Sequence, residues 1–92
     1  MAIVKRVVLD VLKPHQPNVL AFASQIADLG DDYQVNLLVQ EVDDKTQSIV
    51  LSITGEQLDF DIITQHIKAM GGSVHSIDEV DVQGKAPPET SE

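Results

Sequence analysis

An α+β fold with the element order β-α-β-β-α-β is what the sequence predicts, on two observations. Four segments rich in β-branched residues are separated by prolines, glycines and acidic turns, the usual punctuation of short strands. Two other segments repeat their apolar residues at helical spacing, one after the first strand segment and one after the third. With 92 residues and no cysteine, the chain suits one small core held without disulfides.

The first strand is expected from Ile3 to Leu12, and Pro14 and Pro17 end it because proline cannot donate to a ladder. Pro17 suits the first position of a helix whose apolar residues are Val19, Phe22, Ala23, Ile26 and Leu29. Gly30 is expected to close that helix in the left-handed conformation. Tyr33 to Val42 reads as strand two, Asp43 to Lys45 as a polar turn, and Gln47 to Thr54 as strand three of a hairpin. Asp59 is placed to cap a second helix, with Leu58 and Ile63 at the hydrophobic-staple positions. Ile63, Ile67 and Met70 form its buried stripe, Gly71 and Gly72 stop it, and Ser73 to Val82 is strand four. The result is a ferredoxin-like domain over residues 1–83, its antiparallel sheet in the order 4-1-3-2 and both helices on one face. Residues 84–92, with two prolines and little apolar content, read as a disordered acidic tail.

One face of such a sheet stays open, so odd and even strand positions have different fates. Ile3, Val7, Leu9 and Val11 are expected inward on strand one; Ile49, Leu51 and Ile53 on strand three; Val74, Ser76, Val80 and Val82 on strand four. The open face would then hold Val4, Val8, Leu12, Leu38, Val42, Val50 and Ile77, more apolar surface than a monomer usually shows to water. Self-association through that face and through edge strands two and four is the expected consequence. A register that pairs Val8 with Ile77 also sets Arg6 against Glu79 and Asp10 against His75, opposite charges across a strand pair. Ion pairs decorating a sheet are the simpler reading of this set; a metal site made of Asp10, His75 and Glu79 is the functional one.

Composition narrows the function classes. A formal charge of −9, with six scattered basic residues and no aromatic repeat, argues against nucleic acid and anionic membranes as partners. Neither a membrane-spanning apolar run nor an export signal is read, so a cytoplasmic setting is expected. No phosphate loop, nucleophile elbow or zinc-protease motif occurs, and the histidines at 15, 66 and 75 lack zinc-ligand spacing. No catalytic residue is assigned, and a non-enzymatic role is expected. The carboxylates of Glu41, Asp43 and Asp44 are hard oxygen donors of the kind calcium and magnesium take, though without EF-hand spacing.

Two family resemblances carry further expectations. Pro17-Asn18-Val19-Leu20-Ala21 is similar to the first turn of the small-molecule-sensing ACT domains, with Asn18 where that family carries glycine. That resemblance implies a regulatory module with a metabolite site lined by His15 and Asn18. The stretches KRVVLDVLKPHQP (Lys5 to Pro17), Leu58-Asp59-Phe60 and GGSVHSIDEV (Gly71 to Val80) resemble domain of unknown function 211, a small family known mainly from archaea. The likeness covers about residues 1–84. It implies a ferredoxin-like fold, homo-oligomers with rings among their forms, and no established activity. It also puts weight on Asp10, His15, His75, Asp78 and Glu79 without naming a role for them.

Overall fold

The computed structural model describes residues 2–84, which form β1 (Ala2–Pro14), α1 (Val19–Ala27), β2 (Gln34–Val42), β3 (Thr46–Thr54), α2 (Phe60–Ala69) and β4 (Ser73–Gly84). The strands make one antiparallel sheet in the order β2-β3-β1-β4, the expected ferredoxin-like topology. Val7, Leu9 and Val11 of β1 and Ile49, Leu51 and Ile53 of β3 meet Phe22 and Ile26 of α1 and Ile63 and Ile67 of α2 in one core. Each of these side chains is buried, a gain of about 2 kcal/mol apiece relative to exposure. Strand β4 continues two residues past Val82, so Gly84 closes the ladder opposite Ala2. The expected tail otherwise lies outside the described residues.

Local chemistry accounts for the helix ends, with two corrections at α1. Asn18, not Pro17, starts that helix: its side-chain oxygen accepts the Ala21 N–H at 2.9 Å, leaving Pro17 outside the cap. The helix ends at Ala27 with Asp28 as a right-handed cap, so Gly30 does not take a left-handed conformation. Gly30 is needed for space instead, since a methyl there would land on the Tyr33 ring. Helix α2 follows expectation: Asp59 accepts the Ile62 N–H at 3.1 Å, and Leu58 and Ile63 are both buried as a staple. Its C-terminus is a Schellman motif, Gly71 N–H to Lys68 O and Gly72 N–H to Ile67 O at 2.9 Å each, with Gly71 at φ 88°.

Bulges change the faces of both edge strands. On β4 the partners of Val7, Leu9 and Val11 are Val80, Ile77 and Val74, so inward residues recur every third position instead of every second. His75 and Asp78 are the extra residues. Ile77 therefore belongs to the helix side, not the open face, and Ser76 lies opposite Asp10. At the start of β1, Lys5 is the extra residue, and Val4 rather than Ile3 packs on the core. On β2 the shift at Gln40 sets Val42 against Gln47, whose side chain reaches the buried Lys13; Val42 leaves the open face as well. The apolar residues of the open face become Ile3, Val8, Leu12, Leu38 and Val50, with Val8 already buried.

The turns before β2 and before α2 are tied to each other. The Asp59 N–H donates to the Tyr33 hydroxyl at 2.9 Å, and the Glu56 N–H donates to the Asp32 carboxylate at 2.7 Å. Lys5 reaches the same corner through an ion pair with Glu56 at 3.1 Å.

Candidate functional site

The expected polar cluster lies between β1 and β4, but the bulges redistribute it. Arg6 stands directly opposite Asp81, and its Nε is 3.7 Å from Glu79 Oε2 on the diagonal. Glu79 is exposed and Arg6 about a third exposed, and the atoms stand near the outer limit of an ion pair, so this pair contributes at most a few tenths of a kcal/mol. Asp10, half-buried, has Val50 on one side and Ser76 on the other; the expected pairing with His75 is replaced because His75 is looped out of the ladder. The Ser76 hydroxyl donates to Asp78 at 2.7 Å, holding the second bulge. Among the described residues no three His, Asp or Glu side chains gather in a metal-holding group, Asp10, His75 and Glu79 included.

His15 and Asn18 have partners within the fold. His15 Nε2–H donates to the Asp43 carbonyl at 2.8 Å, tying the loop after β1 to the β2–β3 turn. Asn18 is the cap of α1. In the turn itself the Asp43 carboxylate accepts the Thr46 N–H, the Lys45 N–H and the Thr46 hydroxyl at 3.0, 3.1 and 3.0 Å. These bonds favour the charged form and hold its carboxyl below the usual range, with His15 adding a smaller attraction.

A residue that sequence reasoning left out is Lys13. It continues the inward alternation of Val7, Leu9 and Val11 and is fully buried. Its Nζ donates to the Pro14 carbonyl at 2.7 Å and to Gln47 Oε1 at 2.9 Å, and lies 5.4 Å from the centre of the Phe22 ring. Among the described residues the ion pairs belong to Lys5 and Arg6, so Lys13 is buried against uncharged partners. Burial pushes its pKa down.

The other feature outside the core is apolar. A hollow of about 490 Å³ separates α2 from β4, walled by Phe60, Ile67, Lys68, Val74 and Ile77. A smaller, wholly apolar one of about 220 Å³ adjoins it at Phe60 and Ile77 and is completed by Val4, Val7, Val80 and Val82. Ile77, Val80 and Val82 are each just over half exposed. At the opposite edge Val39 and Val42 are 37% and 59% exposed. Both sets lie on the helix side, flanking the area that the two helices cover.

An open four-stranded sheet, two helices on one face and apolar margins at both edges define a ferredoxin-like α+β domain. Residues 5–91 match the model of the family described as uncharacterised ArCR, domain of unknown function 211, and the chain belongs to that family. It is also 44% identical over 82 residues to an uncharacterised protein of Methanocaldococcus jannaschii, MJ0319, a match covering 89% of this chain and 84% of that one.

Proposed function

We propose that this domain is a non-enzymatic assembly unit whose partner is a second copy of itself. The observation that carries the reading is the pair of apolar margins: Ile77, Val80 and Val82 on β4, Val39 and Val42 on β2. Burying half-exposed valines and isoleucines between copies gains about 1 kcal/mol for each side chain, and several act together. Calcium or magnesium, where they take part, would act between copies. The carboxylates of Glu79 and Asp81 lie along β4, whereas no single chain gathers three ligands among its described residues.

Native mass spectrometry at micromolar concentration, with calcium and with a chelator, tests the reading. The expected result is a discrete oligomer, weakened at least tenfold in Val80→Lys because a charge enters the apolar margin. A wild-type monomer under every condition overturns it. Dissociation by the chelator alone would assign the contacts to bridging cations, and indifference to it would assign them to the apolar margins.

A further inference from the structure

We infer that the two edges of the sheet are unlike partners: β2 of one copy pairs antiparallel with β4 of the next. This rests on the self-assembly reading above and names its surfaces. Strand directions alternate across β2-β3-β1-β4, so β2 and β4 run oppositely. A neighbour placed beside the sheet in the same orientation therefore brings its β2 antiparallel to β4, and the ladder continues with every helix on the same side.

The sequences of the two edges fit this arrangement. From Gln34 to Val39, β2 pairs without a bulge and carries no charge, proline or glycine, so it lacks the usual devices that block an edge. From Glu79 to Gly84, after its bulges at His75 and Asp78, β4 has no extra residue of its own, the Lys5 bulge opposite Asp81 and Val82 lying on β1. On the helix side Val80 and Val82 are spaced two apart, as are Leu37 and Val39, so the rows can lie side by side and cover the apolar hollow at the β4 margin. The alternatives fit less well. Two β4 edges would bring the Glu79 and Asp81 rows of both copies together, like charges across a strand pair. Two β2 edges would leave Ile77, Val80 and Val82 in water. One unlike contact covers both margins and joins the uncharged Gln34–Val39 stretch of β2, with Glu41 beyond it, to the acidic edge of β4. Such head-to-tail contacts repeat until they close or run on as a filament.

The absence of cysteine in the chain makes the test direct. Leu38, opposite Val50, and Asp81, opposite Arg6, share the open face but lie on opposite edges with two strands between them. That spacing is about 14 Å, too far for a disulfide within one chain. Under mild oxidation, or with a short bis-maleimide, Leu38→Cys/Asp81→Cys is expected to give a ladder of multimers on a denaturing gel. Leu38→Cys alone and Asp81→Cys alone are expected to stay single bands. A dimer from either single variant overturns the inference in favour of like-with-like edges. An oligomer by native mass spectrometry with no cross-link in any variant also overturns it and leaves the self-assembly reading standing. A monomer by native mass spectrometry removes both.

Discussion

Lys13→Met sets the desolvation of a buried ammonium against the hydrogen bonds that ammonium makes. The Lys13 ammonium is fully buried and has two uncharged acceptors, the Pro14 carbonyl and Gln47 Oε1. Hydrogen bonds to a charged group contribute about 1.5–3 kcal/mol each, whereas removing an ammonium from water costs several kcal/mol. The sums are of similar size, and burial pushes the Lys13 pKa down. Methionine fills nearly the same space beneath Phe22 and needs no partner, while the half-buried Gln47 amide can turn to water. Lys13→Met should therefore lie within about 1 kcal/mol of the parent at pH 7, and Lys13→Ala, which leaves a cavity, should lose about 3 kcal/mol. The sign with pH follows from linkage. The folded pKa lies below 10.5, so between the two values the unfolded chain binds more protons and the parent gains stability as pH rises. Urea unfolding at one fixed protein concentration, at pH 7 and again near pH 10, measures both effects. A loss above about 3 kcal/mol in Lys13→Met at pH 7 would show that the ammonium's bonds outweigh its desolvation and would refute the reasoning.

Two further outcomes are expected. Asp43 is held below its ordinary pKa of 3.8, so its contribution is complete above that value and fades as pH falls through the folded one. The margin of the parent over Asp43→Asn in thermal unfolding should hold from about pH 7 to 5 and shrink in more acid solution; a flat margin down to pH 2 would contradict this. Gly71→Ala should cost about 1–2 kcal/mol in denaturant unfolding, because φ 88° is strained for alanine and the new Cβ would stand 3.1 Å from Pro14 Cγ.

Much of this architecture is legible in the amino-acid order. Leu58, Asp59 and Ile63 announce α2 because a cap and a staple depend on neighbours only three to five positions apart. Ile49, Leu51 and Ile53 announce the inner face of β3 because a central strand without bulges keeps its period of two. Strand β4 resists that reading, since Val74, Ile77 and Val80 follow a period of three that strict alternation cannot express. The signal is present in the spacing of the valines and isoleucine, but only the pairing with β1 shows that His75 and Asp78 are the residues set aside. Everything inferred from Asp10 facing His75 depended on that register. Lys13 is a different case: alternation places it inward, its charge argues outward, and the acceptors that decide the matter come from Pro14 and a strand 34 positions away.

Tyr33 is both the only tyrosine and, with no tryptophan present, the source of the chain's intrinsic fluorescence above the phenylalanine background. Its hydroxyl takes the Asp59 N–H at the point where the turn before β2 is fastened to the turn before α2. The molecule thus carries its own optical gauge at the joint between its two β-α-β halves. A change in tyrosine emission that comes before the loss of far-ultraviolet ellipticity on heating would record that joint loosening while the interleaved ladders of the sheet still hold.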